Sequence, residues 1–260
     1  GAWGRPCGLA CEPPARRMSP LTALLFDLDG TLVDTEELHR CAFNQSFRNL
    51  SLGWDWTPVL YAELLAVSGG AGRIAAYIDR LREPAAEKVR LRHLVPLIHA
   101  EKTRVYRDLL AGTAGLRPGI ARLCEEALAE GMRIGIAASS ASAGASELIA
   151  RVFGKRSGLP ISALVYADQV ARRKPAPDLY ELLLATLRVP AEHCVAFEDS
   201  ASGVAAAKAA GLYVIATPTR WTAAQDFSLA DLVRASLGEP ERPLERLRAR
   251  PALRVVGASP

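Results

Sequence analysis

The chain has 260 residues, is half apolar and 23% charged, and carries a formal net charge of +4. That is the composition of a globular protein with room for one large domain or a core domain plus an insert. Much of that net charge sits at the ends, with Arg5, Arg16 and Arg17 before residue 20 and Arg242, Arg246, Arg248, Arg250 and Arg254 after 240. No compact basic and aromatic patch marks the interior, which argues against nucleic acid as a partner. No apolar run is long enough to span a bilayer, and no signal-peptide core appears, so no membrane partner and no secretion are expected. The five cysteines show no zinc spacing and suit a reducing compartment.

Residues 1–17 are expected to be a disordered or processed segment, either the remnant of a transit peptide or sequence preceding a native start at Met18. The first element is a strand at 22–26, TALLF, which ends on Asp27, Asp29, Gly30 and Thr31. From 35 to 112 the pattern is helical throughout, with helices expected at 36–50, 58–67, 71–82, 85–95 and 97–111. Pro118 looks like a helix start, with Ile120, Leu123, Ala127 and Leu128 on one face and Gly131 as the stop. Strands follow at 133–138, 161–166, 193–197 and 212–215, with helices at 177–188 and 201–210 between them. Each strand is apolar for most of its length, as a strand covered on both faces should be.

Strands alternating with helices predict an α/β fold, a doubly wound parallel sheet of Rossmann-like form with an inserted all-helical cap domain. The core is expected over 18–34 and 113–237, and the cap over 35–112. Residues 238–260 read as a loosely ordered basic tail, with a short helix at 244–249.

Ligands of such sheets sit beyond the carboxyl ends of the strands. Polar clusters fall at these ends: Asp27 and Asp29, then Ser139 and Ser140, then Lys174 in ADQVARRKP, then Glu198 and Asp199. The inventory suits phosphoryl transfer. Mg²⁺ takes hard oxygen ligands, which Asp27 and Asp199 supply, with Glu198 helping through water. One Asp can attack phosphorus and a second can move protons. Lys174 and a serine hydroxyl would hold the phosphoryl oxygens.

FDLDGTLVDTEELH, RKP at 173–175 and FEDS at 197–200 resemble the haloacid dehalogenase-like (HAD) phosphohydrolase superfamily, over about residues 20–235. The helical insert resembles that of subfamily I, with a C1 helical cap. DTEELHRCAFNQSF, SGGAGRIAAYI, HAEKTRVY, GLRPGIARL and EDSASGVAAAKAAGL are similar to the CbbY-type branch of sugar-bisphosphate phosphatases.

That resemblance implies an Mg²⁺-dependent phosphatase working through an aspartyl-phosphate, with xylulose-1,5-bisphosphate, a Rubisco inhibitor, converted to xylulose 5-phosphate. It implies Asp27 as nucleophile and Asp29 as general acid/base with its carbonyl on the metal. Asp199 would be a metal ligand supported by Glu198, and Lys174 would neutralise the phosphoryl group. From the cap it implies Glu36, His39, Arg73 and Lys102 for the sugar and its distal phosphate. Gly69 and Gly70 would allow close approach of backbone.

Two positions depart from the family pattern. The hydroxyl position after the second strand falls on Ala138, so either the strand runs one residue further or Ser139 takes that role from a shifted position, with Ser140 beside it. In the cap loop Ala71 stands where a lysine is usual. His93, His99 and His193 are expected on the surface, Arg172 and Arg173 in solvent or facing a phosphate, and Trp54, Trp56 and Trp221 in packing.

A monomer in a chloroplast stroma or bacterial cytoplasm is expected. The competing readings are a phosphosugar mutase of the β-phosphoglucomutase kind and a catalytically weak regulatory or binding protein on the same scaffold.

Overall fold

The apolar runs become strands because both of their faces are covered. A computed structural model describes residues 20–67, 69–110, 115–140, 142–154 and 160–238. Six parallel strands form one sheet in the order β3-β2-β1-β4-β5-β6. They are β1 (Ala23–Asp27), β2 (Arg133–Ala138), β3 (Ala163–Tyr166), β4 (Cys194–Glu198), β5 (Tyr213–Ala216) and β6 (Leu232–Val233). Five helices, α1 (Glu36–Asn49), α2 (Pro58–Leu64), α3 (Gly70–Arg80), α4 (Ala85–His93) and α5 (Val95–Leu110), follow β1. After them come α6 (Ile120–Ala129), α7 (Ser142–Gly154), α8 (Asp178–Leu187) and α9 (Ala201–Ala209). This is the expected α/β class. Among the described residues no helix is long and apolar enough to cross a membrane.

Strand β1 shows why the sheet is stable in this register. All five of its residues are buried. Leu24 and Phe26 enter one apolar cluster with Ile134, Ile136 and Phe197, while Ala23 and Leu25 enter another with Leu183 and Val214. The alternation is the two-residue period of a strand. The rings of Phe26 and Phe197 stack at 4.7 Å across the β1–β4 pair. Burying a side chain of this size contributes about 1.5–3 kcal/mol. A register slip would turn the whole set to the wrong face.

The helices after β1 have an apolar cluster of their own. Phe43, Phe47, Trp56, Tyr61, Ile74 and Ile78 are fully buried in it. One member, Trp221, comes from the segment after β5.

The structure also departs from the sequence-based expectations. Helix α2 stops at Leu64 rather than continuing to 67. Helix α6 starts at Ile120, because Gly119 is its N-cap and Pro118 lies outside. Helix α7 and the two-residue edge strand β6 had not been identified. The expected segment 1–17, the short helix at 244–249 and all of the tail beyond Gly238 lie outside the described residues.

Candidate active site

Strand β1 delivers Asp27 as its last residue, and the chain then turns at once. The Gly30 amide donates to the Val33 carbonyl at 2.7 Å. Gly30 has φ +89°, and a Cβ there would collide with the Asp199 carboxylate. Only glycine lets β1 turn this close to the end of β4.

Asp27 is 4% exposed, Glu198 0% and Asp199 5%. One oxygen from each of the three lies within 4.8 Å of the others. Three carboxylates in so little water are costly unless cations join them. One cation is present. Lys174 Nζ donates to Asp27 Oδ1 at 2.7 Å, to Glu198 Oε1 at 2.6 Å and to the Ala137 carbonyl at 3.3 Å. Tyr180 donates its hydroxyl to the same Glu198 oxygen at 2.5 Å.

Lysine alone does not balance the site. Burial, and then Glu198 and Asp29, push Asp27 up to about 7 against the pull of Lys174. Burial and the neighbouring Asp27 and Glu198 push Asp199 well above the usual carboxylate range. For Lys174, burial opposes the charge, but Asp27 and Glu198 outweigh it and raise its pKa. Glu198 Oε2 is buried with no hydrogen-bond partner, and it faces Gly203 so closely that a Cβ there would collide with it. An orphaned oxygen, excess negative charge and an all-oxygen donor set fit a hard divalent cation.

Asp29 sits differently. Thr35 Oγ1 donates to its Oδ1 at 2.6 Å, His39 Nε2 lies 3.4 Å from the same atom, and Ser140 Oγ donates to Oδ2 at 3.3 Å. Burial pushes its carboxyl up. The hydrogen bonds from His39 and Thr35 and the charges of His39 and Lys102 outweigh this and hold it at about 2. Two carboxylates two residues apart are thereby pulled in opposite directions, an arrangement suited to divided labour.

Ser139 directly follows β2, since the strand includes Ala138. Of the two alternatives, the strand is the one that runs on, and it puts Ser139 directly after its last residue. Ser139, with Asp27, Asp29 and Asp199, lines a cleft of about 250 Å³ whose other wall comes from α1, α3 and α5. Glu36, His39, Gly69, Gly70, Arg73 and Lys102 all line it. His39 Nδ1 is 2.7 Å from Lys102 Nζ, and its ring stacks on Tyr106 at 4.1 Å. Lys102 is brought down to about 8 by burial and by Arg73. Ala71 is exposed and does not itself line the cleft.

One expectation about surface residues needs correction. His99 lines the cleft rather than the surface, and burial followed by Lys102 and Arg173 lowers its pKa. The signal was present: His99, Lys102 and Tyr106 share one face of α5 at helical spacing. Arg172 pairs with Asp178 at 2.7 Å, whereas Arg173 lines the cleft beside Gly69.

A family model for hydrolases, described as haloacid dehalogenase-like hydrolase, matches residues 21–211. The CbbY protein of Rhodobacter capsulatus is 42% identical over 213 residues, covering 81% of this chain and 91% of that one. The crystal structure of CbbY from Rhodobacter sphaeroides in complex with phosphate superposes with a TM-score of 0.76 at 40% identity, over 84% of this chain and 96% of that one. A point mutant of that protein in complex with xylulose-(1,5)bisphosphate gives 0.75 at 39% identity, with the same coverage.

Proposed function

Because the chain belongs to the haloacid dehalogenase-like hydrolases, we propose that it is an Mg²⁺-dependent phosphatase of a small sugar bisphosphate, with xylulose-1,5-bisphosphate as the first candidate. The observation that carries this reading is Asp27. It is a buried carboxylate with a raised pKa, held at 2.7 Å by Lys174 and facing two further carboxylates. Similarity to CbbY, including the form bound to xylulose bisphosphate, supports the choice of sugar.

Asp27, Asp199 and Glu198 would hold the cation. When bound, Mg²⁺ supplies positive charge to the phosphoryl oxygens and keeps Asp27 ionised. An Asp27 oxygen attacks phosphorus, the bond from phosphorus to the sugar oxygen breaks, and Asp29 gives that oxygen its proton. Water then attacks the aspartyl-phosphate, Asp29 takes the water's proton, and phosphate leaves with Asp27 restored. Lys174 and Ser139 hold the phosphoryl oxygens through both steps. Asp29 at about 2 is already in the form that accepts a proton. A phosphate dianion beside it raises its proton affinity for the first step.

Residues 35–112 act in this reading as a cap over the core, 18–34 and 113–237. Glu36, His39, Arg73 and Lys102 face the sugar and its distal phosphate from that side.

The test is phosphate release from xylulose-1,5-bisphosphate, ribulose-1,5-bisphosphate, β-glucose 1-phosphate and an aryl phosphate, with Mg²⁺ and with chelator. The expected result is a kcat/KM of at least ~10⁴ M⁻¹s⁻¹ on the first compound, poor turnover of the second and none in chelator. Flat, weak activity across the panel removes the substrate assignment. Phosphate passed to a second sugar rather than to water indicates a mutase.

A further inference from the structure

Trp221 stands in the segment after β5, yet it is only 6% exposed and belongs to the apolar cluster of the helices after β1. It meets Tyr61 edge-on, with ring centroids 5.5 Å apart at 89°. Tyr61 is fully buried on α2. Its hydroxyl donates to Glu36 Oε2 at 2.6 Å and accepts from Arg73 Nη1 at 3.3 Å. The Arg73 guanidinium also lies 5.8 Å from the Tyr61 ring centroid. Glu36 and Arg73 line the cleft; Tyr61 and Trp221 do not.

A hydroxyl shared by a carboxylate and a guanidinium fixes the distance between them only while its own ring is fixed. The Tyr61 ring packs against Phe43 and Trp56 of its own helical layer and, edge-on, against Trp221 from the sheet segment. The same segment reaches the helical layer a second time: Arg220 stacks over the Trp221 ring at 4.8 Å and lies 3.5 Å from Glu37. The Trp221 amide donates to Thr219 Oγ1 at 3.1 Å, and Thr222 lines the cleft. One short segment thus both walls the cleft and braces the pair that faces the substrate.

We propose that Trp221 is a positioning residue for substrate recognition, acting through Tyr61 to hold Glu36 and Arg73 in one arrangement toward a sugar bisphosphate. This rests on the phosphatase reading above. Trp221 touches neither the substrate space nor the carboxylates at Asp27. Its loss should therefore change how the sugar is held and leave the phosphoryl chemistry alone.

The test compares Trp221→Ala, Trp221→Phe and Tyr61→Phe with wild type on xylulose-1,5-bisphosphate and on an aryl phosphate, both with Mg²⁺. Trp221→Ala and Tyr61→Phe should raise KM for the bisphosphate about tenfold or more, with the aryl phosphate kcat/KM moving less than about twofold. Trp221→Phe keeps a ring edge against Tyr61 and should stay within about twofold on both substrates. The double variant should be no worse on the sugar than the larger single, since both act through one contact.

An unchanged bisphosphate KM in Trp221→Ala, or an equal loss on both substrates, overturns the proposal. If Trp221→Ala does not fold, Trp221→Leu, which keeps apolar bulk but removes the ring, takes its place, and an unchanged bisphosphate KM there overturns the proposal. If wild type hydrolyses the aryl phosphate but not this bisphosphate, the substrate assignment fails. The same comparison is then read on the best sugar phosphate of the panel. If wild type hydrolyses none of them, the phosphatase reading fails and takes this inference with it.

Discussion

Lys174 Nζ lies 2.7 Å from Asp27 Oδ1, with the lysine side chain 4% and the aspartate side chain 6% exposed. A buried cation with two carboxylates on it cannot be removed without leaving charge behind. Breaking such a pair costs about 3–5 kcal/mol. Lys174→Met is expected to lose about 10²–10³-fold in kcat on an aryl phosphate. Its melting temperature should fall further below wild type at high pH than at low pH, because acid lets the stranded carboxylates become neutral. A uniform destabilisation at every pH would show that the lysine acts only through packing.

Asp27 predicts the sign of a pH effect. Its pKa of about 7 in the fold exceeds the usual 3.8, so the folded chain keeps a proton that the unfolded chain has lost between those values. The stability from this group is complete below the lower value and is lost as pH rises through the upper one. In chelator, wild type should melt higher at about pH 5 than at about pH 7.5, and Asp27→Asn should reduce that difference, leaving the part due to Asp199. Mg²⁺ should raise the melting temperature of wild type and raise that of Asp27→Asn less. Turnover of Asp27→Asn should fall at least ~10³-fold; retention above ~1% removes the nucleophile assignment.

Asp29→Asn keeps the shape and removes the proton carrier. A loss of roughly 10²–10⁴-fold in kcat is expected, the range for general acid/base help. A loss below about tenfold would make Asp29 chiefly an anchor for Thr35, His39 and Ser140.

Gly203→Ala places a methyl group against Glu198 from the first turn of α9. Overpacking of this kind costs about 1–3 kcal/mol. Displacing Glu198 should also abolish most of the Mg²⁺-induced rise in melting temperature. If that rise is unchanged, Glu198 takes no part in holding the cation.

The parts of this arrangement that were legible in the sequence are those with a local signature. An apolar run ending in two aspartates and a Gly-Thr turn marks β1 and its carboxylates. The same holds for the Phe-Glu-Asp-Ser end of β4. Helix α7, SAGASELIARVFG, has no acidic first turn, and β6 is two residues long with no pattern to read. Arg172 and Arg173 are adjacent and alike; only the position of Asp178 on α8 shows which is neutralised. The role of Trp221 was invisible for the same reason. Its partner Tyr61 lies far away in the chain, and nothing near Trp221 announces it.

The position of β1 has a consequence for how the chain reaches this state. Its strand partners are β2, which begins at Arg133 beyond the whole helical insert, and β4, which begins at Cys194. The central strand is therefore synthesised first and paired late. At ordinary rates of translation it waits roughly ten to thirty seconds, with apolar residues on both faces, before β4 emerges. The helices between have a local apolar cluster and can form meanwhile. During synthesis β1 thus stays open to a chaperone until its partners emerge, whereas in the finished molecule all five of its residues are buried.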